Sequence, residues 1–268
     1  LHLHRLQVLM SLGRYSQVVD ACSRAQVLLE RVLPSWGEFF RTTLHMEGAY
    51  CAVYLDPRPE TAGRLLESLE PIDLPGTMRF IARSVRGELE LTRGNVRTAA
   101  LIQRVSLRYA GNWRSILGSG SQWELYILSM CLVTDVELSP DDAVELDARA
   151  VRARATSLLR EILSDPAPRQ RDIPTLMAFA AAVGLSAVAA EDVGSDRRAV
   201  GGELVATALA VGTNQTCRLL SHDYLRSRTE RLDARALAQA EERIRSLDRG
   251  GLVAHAADLA GRLAGEVG

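Results

Sequence analysis

Three arginines at helical spacing, Arg79, Arg83 and Arg86, are the residues of this chain best placed to do recognition chemistry. On a helix their side chains fall within an arc of about 60°. A guanidinium is a planar fork that pairs with carboxylates or phosphates through two parallel hydrogen bonds, so such an arc suits an anionic partner. Arg93, Arg97, Arg104 and Arg108 continue the series in a similar arc beyond the next turn. Residues 74–122 hold eight arginines against Glu88 and Glu90, a net of +6; residues 123–149 hold seven acids against Arg149, a net of −6. Either these segments face each other or are simply solvated, or Arg79, Arg83, Arg97, Arg104 and Arg108 form a basic surface for an acidic partner, a phosphate ligand or nucleic acid. Duplex binding fits least, because little aromatic surface is interleaved with the arginines and the net charge of the chain is −1.

Catalytic patterns are missing from the sequence. The four cysteines stand far apart, at positions 22, 51, 131 and 217, with no metal-ligand spacing. Each sits in an apolar helical context, which predicts buried free thiols and a reducing cytoplasm. His2 and His4 point to different helix faces, and His222 and His255 are isolated. No zinc-protease, serine-hydrolase, phosphate-loop or dinucleotide motif occurs. Gly118-Ser119-Gly120-Ser121 reads as a hinge. A non-enzyme without cofactor or metal is therefore expected.

The elements that must carry these residues are helices. Hydrophobic residues make up 47% of the chain and aromatics only 5%, so leucine, valine and alanine build the core, and alanine and leucine favour helix. Every one of the 32 basic residues is arginine, a bias that a GC-rich coding sequence produces. Apolar periodicity with Gly and Pro punctuation predicts an all-α chain of helical hairpins at about 1–33, 36–70, 77–110, 122–164 and 173–211, with a capping tail at 214–268. The tail divides into helices near 216–226, 229–247 and 251–265. Trp36, Phe39, Phe40 and Tyr50 cluster on or near one helix as core. Residues 173–190 run 18 positions without a charge, at the lower limit for a membrane span. Their alanine-rich composition instead predicts a helix sandwiched between neighbours. The chain opens on Leu1 inside a helical pattern, which suggests a fragment of a larger protein.

Leu12-Gly13-Arg14-Tyr15 with Val18, and Gly87 with Gly94-Asn95-Val96 and Ala99, share a small residue, a turn glycine and a small inner position. This pattern resembles the tetratricopeptide repeat: Gly13 and Gly94 match the turn glycine, Tyr15 and Val96 the residue two positions on, Val18 and Ala99 the small inner position, and Gly48 and Gly87 the small first-helix position. Arg86 and Glu90 depart from it, standing where the family prefers leucine and an aromatic; either the register shifts there or the two pair at i,i+4 in a half-buried site. The motif covers less than half of the chain. The resemblance implies a right-handed α-solenoid in one domain. It also implies a concave groove lined by His45, Ala49 and Ala52, and by Ile81, Ser84, Glu88 and Leu91 in the third hairpin, suited to a peptide. Residues 86–95 are similar to the degenerate repeats of large bacterial transcription activators, the LuxR-type ATPase regulators and the antibiotic-pathway activators. That likeness implies a protein-interaction or effector-sensing domain of a cytoplasmic regulator, with a protein or peptide partner and no membrane. A stand-alone peptide-binding adaptor or secretion-related scaffold is the alternative.

Overall fold

The computed structural model describes residues 17–22, 24, 37–54, 58–70, 74, 76–110, 120–138, 148–165, 173–213 and 218–265. Among these the regular structure is helical: α1 (Gly37–Tyr54), α2 (Pro59–Glu67), α3 (Gly76–Thr92), α4 (Val96–Ala110), α5 (Gly120–Glu137), α6 (Ala148–Ser164), α7 (Ile173–Ala189), α8 (Ser195–Val211), a short 3-10 turn (Arg218–Leu220), α9 (His222–Ile244) and α10 (Arg249–Ala264). Residues 17–22 are also helical. The all-α expectation holds, and no strand occurs among the described residues. Most of the first hairpin, including Gly13 and Tyr15, lies outside the described residues, as do Trp36 and the side chains of Phe39 and Phe40. Where one array was expected, contacts divide the chain into two compact units, Leu1–Ile102 and Gln103–Gly268.

In the first unit, α1 packs on α2, and α3 packs on both. Pro59 starts α2 at a position where its missing N–H costs nothing, with Glu60 in the first turn near the positive end of the helix dipole. The core gathers Val18, Cys22, Leu44, Ala49, Ala52, Ala62, Leu66 and Leu89. Gly48 is a close-approach point: a Cβ there would stand 3.1 Å from Leu65 Cδ1 and 3.4 Å from Cys22 Cβ.

Helix α3 ends as its turn glycine predicts. Gly94 has φ +82°, its N–H donates to Leu91 O (3.0 Å), and Asn95 N–H donates to Glu90 O (2.8 Å). These two bonds close a Schellman cap, which requires the left-handed conformation glycine adopts without strain.

The second unit centres on α7, whose residues Leu176 to Ala187 are all buried, and on its hairpin partner α8. The uncharged run is thus a sandwiched helix, as its composition predicted, and no helix of the described residues is long and apolar enough to cross a membrane. Packing here is not restricted to chain neighbours. Helix α5 packs on α6 and α7, whereas α10 returns to pack on both α6 and α8. The tail expected as a cap is therefore built into this core.

Several boundaries differ from expectation. Helix α5 begins at Gly120, so half of the glycine–serine hinge is helical. The break expected near 227 lies instead at Asp233, which has extended backbone (φ −158°) and accepts from Ala236 N–H (2.9 Å) as an internal N-cap. Asp248 caps α10 in the same way through Gly251 N–H at 2.7 Å.

Candidate functional site

The first site is a trough along the α2–α3 side of the first unit. Its apolar lining is Leu66, Leu69, Leu74 and Ala82; Arg79, Arg83, Arg86 and Glu70 supply its charge, and its volume is about 400 Å³. The helical spacing places the three arginines together, as expected from sequence. Arg79 is exposed and donates from Nη2 to the carbonyl of Leu74 (3.1 Å). Arg86 reaches Glu70 at 3.5 Å, and Arg83 is half-buried. Among the described lining residues, three guanidinium groups and one carboxylate stand above leucine side chains. That combination can hold an anionic group and an apolar group at the same time.

Arg86 and Glu90 pair at i,i+4, one of the two arrangements expected, with Nε and Oε1 4.0 Å apart. The Glu90 carboxylate also accepts, at closer range, from Asn95 Nδ2 (2.8 Å) and Arg93 Nη1 (3.1 Å), both at the turn its own backbone carbonyl caps. Arg93 in turn lies over α2, where a Cβ on Gly63 would stand 2.9 Å from its Nη2. Glu90 thus ties the α3–α4 corner together.

The expected groove positions are packed away. His45, Ala49, Ala52, Ser84, Glu88 and Leu91 are all buried. His45 Nδ1 is bonded to Ser68 Oγ, and Ser84 donates to Phe80 O at 3.1 Å. An open concave lining at these six is corrected by the structure: small and apolar residues at helix-facing positions are consumed by close packing. The Ile81 side chain lies outside the described residues.

The expected basic surface is also divided. Arg97 is exposed, and the side chain of Arg108 lies outside the described residues. Arg104 does not belong to an open surface. Its side chain is 10% exposed and pairs with Asp135 at 2.5 Å. This ion pair links one residue of the basic segment to one of the acidic segment. Burial raises the Asp135 carboxyl above its usual range despite the opposing pull of Arg104, and burial together with Asp135 pushes the Cys131 thiol up to about 12. Cys22 and Cys131 are buried thiols.

Further polar junctions tie helices of the second unit together. Arg154 holds Glu124 with two bonds, at 2.8 and 3.0 Å. Tyr224 OH donates to Glu137 (2.6 Å), which Arg228 also pairs at 3.0 Å. Glu203 on α8 accepts from Arg243 of α9 and His255 of α10, each at 2.8 Å. Burial would raise the Glu203 carboxyl, but these two bonds outweigh it and hold it below its usual value. Each junction is a carboxylate held by side chains of other helices, which is a structural arrangement. No cluster of three potential metal-ligating side chains occurs among the described residues.

No family model, curated protein or solved structure matches this chain. Sequence spacing found Arg79, Arg83 and Arg86 because all three lie on one helix. It missed a second arginine cluster, formed by Arg149, Arg152 and Arg197, because Arg197 comes from a different helix.

Proposed function

We propose that this chain is a non-catalytic interaction module of a cytoplasmic bacterial regulator, and that its first unit docks an acidic amphipathic segment in the α2–α3 trough. The observation that supports this most is the trough itself, with Arg79, Arg83 and Arg86 beside a leucine-lined floor. An acidic peptide would lay leucine-like side chains on that floor and carboxylates on the arginines. The transcription-activator context rests on the resemblance of residues 86–95 to activator repeats. A partner segment from another domain of the same regulator fits that context, and binding would favour one arrangement of the regulator over another. A stand-alone adaptor would use the same trough on a separate protein.

Fluorescence anisotropy with a labelled peptide of alternating Glu and Leu character tests the docking. Arg79→Glu with Arg83→Glu should weaken binding by about 100-fold, the weight of two charge-assisted contacts. Added salt should weaken the wild-type complex. Affinity indifferent to the double substitution overturns the trough as the docking site.

A further inference from the structure

Helix α9 is folded back on itself. Arg226 Nη1 stands 2.8 Å from Glu241 Oε1. On a straight helix these residues, 15 positions apart, would be separated by about 22 Å, beyond the reach of the two side chains. The fold-back lies at Asp233, the residue of α9 with non-helical backbone (φ −158°, ψ 80°). Two helical arms of about 10 and 12 Å meet there at a one-residue hinge. We infer that this hinge lets the chain exchange residues 234–264 with a second copy of itself. Asp233 turns helical, α9 straightens, and the released segment packs on α8 and α6 of the other copy. The exchange involves neither α2 nor α3 and does not depend on peptide docking there.

Local sequence is the first argument. No glycine or proline interrupts residues 222–249. The arm after the hinge begins Ala234-Arg235-Ala236-Leu237-Ala238-Gln239-Ala240-Glu241, all strong helix formers. The hinge holds no residue that demands a turn, because the extended backbone of Asp233 is open to any residue. Local preference is thus for one continuous helix, and tertiary contacts hold it folded. The hinge's own contribution to the folded form is the bond from Ala236 N–H to Asp233 Oδ1 (2.9 Å).

Separate anchoring of the two arms is the second argument. The arm before Asp233 is tied to α5: Tyr224 OH donates to Glu137 at 2.6 Å, and Arg228 donates to the Val136 carbonyl at 2.7 Å. The arm after it is tied to α8 by Arg243, which donates to Glu203 at 2.8 Å. Helix α10 is tied to the same Glu203 by His255 (2.8 Å), and its Leu263 carbonyl accepts from Arg197 (2.8 Å). Each of these contacts forms as well between two copies as within one, because the same surfaces meet. Exchange preserves the packing and changes only the hinge. Straightening there adds helical backbone hydrogen bonds and dissolves one side-chain cap. A short hinge between packed elements is where such exchange between protomers occurs.

A disulfide reports the exchange directly. A Cβ on Gly202 of α8 would stand 4.0 Å from Ala236 Cβ, a separation that a disulfide spans. Gly202→Cys with Ala236→Cys is made in the intact chain, its four native cysteines replaced by serine or alanine. The bond forms within one copy when the hinge is folded and between two copies when it is exchanged. After refolding at high protein concentration and oxidation, a non-reducing gel should show a covalent dimer that grows with protein concentration. Asp233→Ala removes the cap, worth about fivefold at each hinge, and should raise the dimer association constant about 25-fold by light scattering. Two glycines inserted after Asp233 lengthen the hinge and should return the monomer. Monomer bands alone, even with Asp233→Ala, overturn the inference. So does a dimer in solution whose disulfides all lie within one copy, which marks ordinary association of outer surfaces. If Asp233→Ala fails to fold, the cysteine pair in the native hinge decides by the same two bands.

Discussion

Gly184 and Gly201 bring the backbones of α7 and α8 into contact. A Cβ on Gly184 would stand 2.5 Å from the carbonyl oxygen of Gly201, and a Cβ on Gly201 would stand 2.8 Å from that of Gly184. Both obstacles are backbone atoms, so no rotamer change relieves them. The two helices must separate to admit even one methyl group, and α7 is the most enclosed helix of its unit.

Gly184→Ala or Gly201→Ala should therefore destabilise the chain by about 1–3 kcal/mol, the usual cost of overpacking. Gly202→Ala is the matched control, because its Cβ would meet nothing closer than 4.0 Å. That substitution should be neutral or stabilising by up to about 1 kcal/mol through helix propensity. Urea midpoints for the three variants check the sign difference.

Arg104 and Asp135 form a pair with 10% and 19% of their side chains exposed. Removing one partner leaves the other charge buried, so Asp135→Ala should cost about 3 kcal/mol. Arg104→Met with Asp135→Leu should recover most of that loss. A double-mutant cycle by denaturant unfolding measures the coupling, and additive effects would show that the pair is not coupled.

Cys131 should resist thiol reagents in the native state. Its thiol is buried and held at about 12, so almost no thiolate exists at pH 8. Release of the Ellman chromophore from Cys131 should track unfolding, measured in a variant with the other three cysteines replaced by serine or alanine.

Two carboxylates should act with opposite signs on the acid limb of stability. Glu203 has a lowered folded value, so its contribution is complete above the unfolded carboxylate value of about 4.3 and is lost as pH falls through the folded value. Asp135 has a raised folded value, so stability gains as pH falls through that value toward the unfolded value of about 3.9. Glu203→Gln should flatten the loss of stability in acid, and Asp135→Asn should steepen it. Thermal midpoints between about pH 3 and pH 6 span both transitions.

Glu90→Ala should loosen the α3–α4 corner. It leaves Arg93 and Asn95 without the carboxylate they share. A loss of about 1–3 kcal/mol is expected from these charge-assisted bonds. Glu90→Gln should retain part of it, since an amide oxygen still accepts from Asn95. Amide exchange at Gly94 and Asn95 would accelerate in both variants if the corner is held this way.

Local chemistry was legible wherever one stretch of chain carried it. Residues 173–190 read as a buried helix because apolar small residues surround every side of it, and the structure places Ile173–Ala189 there. Gly94 read as a turn because only that residue type takes positive φ freely. Asp233 was missed because its break lies inside a strong helical pattern, and its capping bond spans only three residues. The groove assignment to His45, Ala49, Ala52, Ser84, Glu88 and Leu91 failed for a different reason. Small residues suit either an exposed concave face or a tightly packed interior, and residue type alone does not distinguish them.

The sequence by itself determined that the chain is helical, where most of its helices run, and that Arg79, Arg83 and Arg86 share one face. Those properties follow from backbone propensity and a period of 3.6 residues, which act over a few turns. Tertiary structure alone decided that Arg104 meets Asp135, that Gly184 touches Gly201, that α10 returns to α6, and that Arg152 and Arg197 wall one pocket. These pairings join residues from 17 to over 100 positions apart: the Cδ of Arg160 on α6 lies 3.9 Å from where a Cβ on Gly261 of α10 would stand. Their partners are selected by the burial of whole helix faces, and no local pattern records which face will meet which.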